Sequence, residues 1–320
     1  AVGNSGIIVR STDNGTSWDN TTSPTANGLY GVTFENNTFV AVGNSGNIVR
    51  STDNGTSWDN ATTDNSTVNN LKGVTFGNNT FVAVGDSGNI VRSTDNGTSW
   101  DNATTDNSTV NNLKKVTFGN NTFVAVGSDG SIERSTDNGT TWASVTSGTD
   151  KNLFGVTFGN NTFVAVGQDG NILRSTDNGS SWDNATSGTN NNLNGVGFGN
   201  NTFVVVGNSG NILKSTDNGS SWDNVTSGTS QQLNNVTFGN NTFVGVGDNG
   251  NILRSTDNGT NWDNATSGIT TDIRGVTFGN NTFVGVGSGG KIVRSTDNGT
   301  NWDNATSPIT TYLNGVTFSE

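Results

Sequence analysis

The sequence predicts an all-β fold: an eight-bladed β-propeller of ~40-residue, four-stranded blades, forming a single domain over residues 1–320. Three observations predict it. The stretch "STDNGTSWDN" (51–60) recurs with small changes from Ser11, Ser51, Ser93, Ser135, Ser175, Ser215, Ser255 and Ser295. Successive starts lie 40, 42, 42, 40, 40, 40 and 40 residues apart. Each interval holds four short β-rich runs parted by Asn/Gly turns, and no stretch carries a helical period of useful length. One such sheet cannot bury both of its faces. It needs a neighbour on each side, and a closed ring supplies both.

The unit 193–232 shows the elements in order. "LNGVGF" (193–198) reads as strand one and "GNN" (199–201) as a tight turn. "TFVVVG" (202–207) follows as strand two, "NSG" as the second turn and "NILKS" (211–215) as strand three. "TDNGS" turns the chain into strand four, "SWDNVTS" (221–227). Asn and Gly suit turns with positive φ, and Val, Ile, Phe, Thr and Trp suit the strands.

The ends of the sequence fit a ring. It opens in a second strand, "AVGNSG", and closes in a first strand, "LNGVTFSE" (313–320). The last blade is therefore expected to take strand one from 313–318 and strands two to four from 1–23. From Ser295 round to Ser11 the count is 36, short by the residues of a first hairpin. With no initiating Met, Ala1 reads as a processed or excised start.

Composition narrows the chemistry. The chain has no Cys, His or Met and two Pro. No thiolate nucleophile, disulfide framework or zinc–thiolate site can be built, and the usual neutral-pH acid–base side chain is missing. A net charge of −12 disfavours nucleic acid and anionic membranes as partners. No apolar run approaches the ~20 residues of a membrane-spanning helix.

The repeated S-T-D-x-G-x-x-W resembles the Asp-box, or BNR, repeat. That motif occurs in sialidases, in related glycan-processing propellers and in the photosystem II assembly-factor type of propeller. The resemblance covers the whole chain and implies a structural turn between strands three and four. Asp53 would accept N–H bonds of its own turn, Gly55 would supply positive φ, and Trp58 would plug the gap between blades. Asp13, Gly15 and Trp18 would do the same, as would Asp95 with Trp100, Asp137 with Trp142 and Asp177 with Trp182. Asp217 with Trp222, Asp257 with Trp262 and Asp297 with Trp302 complete the set. The sialidase reading would also ask for three converging arginines, a Tyr–Glu nucleophile pair and an Asp acid. Here the tyrosines are Tyr30 and Tyr312, and the glutamates are Glu35, Glu133 and Glu320. Arg10, Arg50, Arg92, Arg134, Arg174, Arg254 and Arg294 each precede a box, with Lys214 as the exception, so they read as repeat features pairing with an Asp such as Asp59. Only Arg274 is off-pattern. The expectation is no enzyme, no cofactor and no metal. The calcium-loop likeness of Asp-x-Asn-Gly lacks the further oxygen ligands that such a loop needs.

Function on a repeat scaffold lies where the repeats differ. Two regions vary: the second turn, and the link from strand four to the next strand one. In a meander both fall on one face of the ring. The residue after the Leu or Ile that opens strand one is Tyr30, Lys72, Lys114, Phe154, Asn194, Asn234, Arg274 and Asn314. These form a candidate recognition ring at the channel mouth for an acidic or carbohydrate partner. Asn-x-Ser/Thr triplets at Asn14, Asn20, Asn36, Asn60, Asn78, Asn102, Asn160, Asn184, Asn240, Asn264 and Asn304 are candidate glycosylation sites and suggest an extracellular or cell-surface setting. The resulting expectation is a non-catalytic extracellular scaffold that binds protein or carbohydrate, or self-associates in a surface assembly or filament. A lectin-like propeller, an intracellular assembly-factor-like scaffold and a designed repeat protein are the alternatives.

Overall fold

The computed structural model describes residues 1–63, 69–105 and 111–319. The middles of the two longer links, 64–68 and 106–110, and Glu320 lie outside the described residues. The described chain forms eight antiparallel meanders in a ring. Counting from the first complete one, blade 1 comprises Leu29–Glu35, Thr38–Gly43, Ile48–Ser51 and Asp59–Asn60. Strand one of each blade lies against strand one of the next, so the innermost strands surround the central axis.

Strand two reads as an unbroken apolar run because both of its faces are buried. Phe81 and Ala83 pack toward blade 1, with Val40, Val42, Ile48 and Trp100. Val82 and Val84 point the other way, into a layer with Phe123, Ala125 and Trp142 of blade 3. The two-residue period of a strand thus feeds two cores, one on each side. The core of this molecule is a set of inter-blade layers and has no single centre.

Three features go beyond the sequence reading. The second turn is a left-handed turn, as at Asn44–Gly46, where Ser45 has φ 56° and Gly46 has φ 67°. Every strand one carries a β-bulge: Leu29 pairs with Gly43 and Gly31 with Val42, which leaves Tyr30 as the extra residue. Finally, the links after blades 1 and 2 add a fifth strand. Thr62–Thr63 pairs in parallel with Ser99–Trp100, and Thr104–Thr105 with Thr141–Trp142. The outer edges of blades 2 and 3 are thereby covered, where the two extra residues of a 42-residue spacing permit it, and blade 8 carries a single parallel bridge from Ser17 to Thr306.

Both ends of the sequence close blade 8, as expected, but with less pairing. Its strand one is Leu313–Gly315, shorter than the predicted 313–318, and it pairs with Val2 and Gly3. Ile8–Arg10 and Asp19–Thr21 complete the sheet.

Candidate functional site

Each Asp-box is a closed hydrogen-bond unit. In blade 1 the Ser51 hydroxyl donates to Asp53 Oδ1 at 2.8 Å and accepts from the Gly55 N–H at 2.9 Å. The Ser57 N–H reaches Asp53 Oδ1 at 2.9 Å, and its hydroxyl reaches Oδ2 at 2.6 Å. Trp58 Nε1 donates to Gly55 O at 3.3 Å, and its ring lies 6.0 Å from Phe39. These bonds all favour the ionised carboxylate. The Ser57 hydroxyl and amide, with the Ser51 hydroxyl, hold Asp53 down to about 2. The carboxylates are thus spent on their own turns. A box carboxylate fixed by several donors is poorly suited to proton transfer near neutral pH.

Five of the seven arginines that precede a box do more than pair with an aspartate. Arg10 Nε donates to Asn54 O at 2.6 Å, which ties blade 8 to the box of blade 1. Arg134, Arg174, Arg254 and Arg294 make the same bond to Asn178, Asn218, Asn298 and Asn14 of the next blade. Only looser contacts reach the expected aspartates, at 4.0 Å for Arg254–Asp263 and 3.8 Å for Arg294–Asp303. The expected pairing is thus present in two blades, and the bond to the next blade adds to it. The left-handed Asn of the box turns its carbonyl toward the neighbouring blade, and the guanidinium meets it there.

The variable regions do share a face. Asn44 N–H donates to Gly28 O at 2.8 Å, setting the second turn beside the entry to strand one. On the opposite face, Asn36 Nδ2 reaches Asn96 Oδ1 of the next box at 3.2 Å.

All eight ring candidates are the bulged residues of strand one. A bulge re-aims its side chain, and here several of them reach a neighbouring blade. Lys72 Nζ lies 4.4 Å from the Tyr30 ring centroid, and Lys114 Nζ lies 4.5 Å from that of Phe154. Asn194 Nδ2 donates to Leu233 O, Asn234 Nδ2 to Ile273 O and Asn314 Nδ2 to Leu29 O, at 2.9, 3.0 and 2.9 Å. Arg274 stacks instead on Tyr312, outside the column, at 4.5 Å. One side of the mouth is therefore aromatic and cationic, and much of the remainder is amide-lined.

Sequence reasoning missed Lys115. Its column holds Gly31, Gly73, Gly155, Gly195, Gly275 and Gly315, with Asn235 as the other exception. The strand-one backbones approach closely there: a Cβ on Gly73 would lie 3.2 Å from Lys114 O. Lys115 is exposed to solvent, yet desolvation by the surrounding protein lowers its amine below the ordinary lysine value. A side chain both wet and enclosed belongs in the channel. Lys72 pairs with Asp86 at 3.6 Å, whereas Lys115 has no acidic partner among the described residues. Reading the adjacent column for its exception would have found it.

Asn14 lies in the box turn, where its amide donates to Thr282 Oγ1, and the other triplet asparagines fall into two sets. Asn20, Asn60, Asn102, Asn184, Asn264 and Asn304 lie exposed on strand four. Asn36, Asn78, Asn160 and Asn240 lie in first-hairpin turns, where Asn78 and Asn160 donate to Asn138 and Asn218. Among the described residues, no three His, Cys, Asp or Glu side chains converge as a metal site would require. No helix among them is long and apolar enough to cross a membrane.

The chain is an eight-bladed β-propeller whose repeats resemble the Asp-box (BNR) repeat. Within that class, residues 134–292 match the family model of the photosynthesis system II assembly factor YCF48, and residues 57–193 match that of the DUF6242 β-propeller domain. No curated protein matches the sequence. Among solved structures, YCF48 bound to D1 peptide is 17% identical, with 92% of this chain and 97% of that one covered and a TM-score of 0.66. The computationally designed Ika8 protein is 14% identical, with 91% of each chain covered and a TM-score of 0.73. A catalytically inactive virginiamycin B lyase from Staphylococcus aureus, with quinupristin, is 17% identical, with 87% and 94% covered and a TM-score of 0.65. At these identities the likeness is one of fold.

Proposed function

We propose that this propeller is a non-catalytic, protein-binding scaffold that holds an acidic peptide segment at the channel mouth, on the side of blades 1 to 4. Lys115 carries this reading: a cation enclosed in the channel, without an acidic partner among the described residues. Tyr30 and Phe154 flank it with half-buried aromatic surface, and Lys72 and Lys114 sit between them in sequence along the ring. A carboxylate entering the channel would relieve the desolvated amine, and apolar side chains of the same peptide would lie on the rings. The related fold of YCF48, solved with a D1 peptide, supports peptide binding as a use of this architecture.

The test is an array of acidic 8–12-residue peptides, scored against the native chain and Lys115→Gly. Glycine stands at this position in six blades, so the variant keeps the fold. Loss of this charge pairing should weaken binding by roughly tenfold or more, and affinity should fall as salt rises. Equal binding by the variant would refute the reading.

A further inference from the structure

The outer edges of the blades occur in two states. In blades 2 and 3 the link from the preceding blade runs parallel to the start of strand four. Thr62 and Thr63 face Ser99 and Trp100, and Thr104 and Thr105 face Thr141 and Trp142. The Thr62 N–H donates to Thr98 O and the Thr104 N–H to Thr140 O, both at 3.0 Å. Strand four there includes its tryptophan, as Ser99–Asn102 and Thr141–Ser144. In blades 1, 4, 5, 6 and 7 it begins only after the tryptophan, at Asp59, Asp183, Asp223, Asp263 and Asp303. Among the described residues no strand pairs with the outer side of these five edges. Nor does a backbone carbonyl among them accept from the N–H of Trp58, Trp182, Trp222, Trp262 or Trp302.

The links account for the difference. Before blades 4 to 7 each link turns inward at Ser-Gly. The Thr189 N–H donates to Ser187 Oγ at 3.3 Å, and Ser147, Ser227 and Ser267 accept in the same way. These serines are buried, and the glycines that follow them have positive φ, which ends an extended run. Before blade 1, Ser23 accepts from the Thr25 N–H, with Pro24 in the glycine's place. A link held this way does not reach the neighbouring edge. The tryptophans register the result. Trp100 and Trp142, under their covers, are 0% and 2% exposed, whereas Trp58, Trp182, Trp262 and Trp302 are 7–9% exposed and Trp222 is partly exposed. In the covers, Thr63 and Thr105, opposite the tryptophans, are half-buried, while Thr62 and Thr104 are exposed.

We propose that these five edges are docking sites for an extended segment of a partner protein, which adds in parallel to strand four as Thr-Thr-Lys. The two threonines are specified by the chain's own covers in blades 2 and 3. The first threonine N–H donates to the carbonyl two residues before the tryptophan, that of Thr56, Ser180, Ser220, Thr260 or Thr300, as Thr62 does to Thr98. Its own carbonyl accepts from the tryptophan N–H, as Thr306 O accepts from the Trp18 N–H at 3.1 Å in blade 8. The second threonine lies over the indole, in the place of Thr63. The third residue falls opposite the strand-four aspartate, which is exposed at Asp59, Asp183, Asp223, Asp263 and Asp303, and a lysine complements it. Backbone pairing supplies affinity, and the side chains supply selectivity. These edges lie on the rim of the ring, away from the channel mouth and Lys115.

The experiment titrates the 320-residue protein with the synthetic peptide Ala-Thr-Thr-Lys, acetylated and amidated at its ends, and follows hydrogen exchange. Saturable slowing is expected at the amides of Trp58, Trp182, Trp222, Trp262 and Trp302, with Trp100 and Trp142 unchanged. Lys115→Gly should respond identically, which separates this result from the channel-mouth reading. The peptide Ala-Pro-Thr-Lys lacks the first donor and should bind roughly tenfold or more weakly. A second chain carries the nine residues 62–70 in place of the seven residues 226–232, so that blade 6 gains a cover of its own. Its Trp262 amide should exchange slowly without peptide and should not respond to it. Absence of saturable slowing, equal binding of the proline peptide, or a Trp262 amide that still responds in the second chain would each overturn the proposal.

Discussion

Replacing Trp142 by alanine removes the wedge between blades 2 and 3. The side chain is 2% exposed, its ring centroid lies 6.3 Å from that of Phe123, and its Nε1 donates to Gly139 O at 3.0 Å. A buried Trp→Ala change costs about 3–5 kcal/mol. Removing the donor to Gly139 O adds about 1 kcal/mol. Trp142→Phe keeps most of the packing and should cost about 1–2 kcal/mol. Trp222 makes the same bond to Gly219 O at 3.2 Å, yet it is partly exposed. It has no parallel strand over it, while Trp142 is paired with Thr105. Trp222→Ala should therefore cost about 1 kcal/mol less than Trp142→Ala, from the smaller area removed from the core and the absence of a cover strand to disturb. The assay is equilibrium urea unfolding followed by circular dichroism, comparing midpoints at equal slope. If Trp142→Ala cost under about 1.5 kcal/mol, or if Trp222→Ala cost as much as Trp142→Ala, the wedge argument would fail.

Two further outcomes follow from the same geometry. The Asp13, Asp53, Asp177 and Asp217 carboxyls are held down to about 2 from an ordinary 3.8, chiefly by the hydroxyls of Ser17, Ser57, Ser181 and Ser221. Their stabilisation is complete above the unfolded value and is lost as pH falls from about 4 through about 2. The urea midpoint should hold steady above about pH 5 and fall across that window, with Ser57→Ala making the fall shallower; a midpoint unchanged down to about pH 2 would contradict it. Gly170 and Gly188 have the same φ of +73°, but a Cβ on Gly170 would lie 1.9 Å from Thr189 O, while one on Gly188 meets nothing within 4 Å. Alanine at Gly188 should cost about 1 kcal/mol, and at Gly170 about 3 kcal/mol or more, as thermal unfolding would register.

Much of the fold was legible because each blade repeats its instructions locally. Asn-Asn and Asn-Gly pairs mark the turns, the apolar run Thr-Phe-Val-Ala-Val marks a strand buried on both faces, and Ser-x-Asp-x-Gly-x-x-Trp encodes a hydrogen-bonded turn within ten residues. Such short-range chemistry can be read without knowing what lies across the ring. The ring candidates were legible as a varying column, since variation against a constant background is itself a sequence signal.

The contacts between blades were not legible, because they join residues about forty positions apart and depend on how closely two sheets approach. Only the tertiary structure showed that Tyr30 and its equivalents are bulged residues, that Arg10 serves the carbonyl of Asn54, and that two extra residues in a link become a strand over Trp100 and Trp142. Lys115 belongs here too: in sequence it is one lysine beside another, and only the ring of glycines around it makes it a cation inside a channel. The sequence by itself determined the blade, its turns and the number of blades. The packing of one blade on the next decided where charge is enclosed and which edges are covered, since those depend on distances that no local pattern encodes.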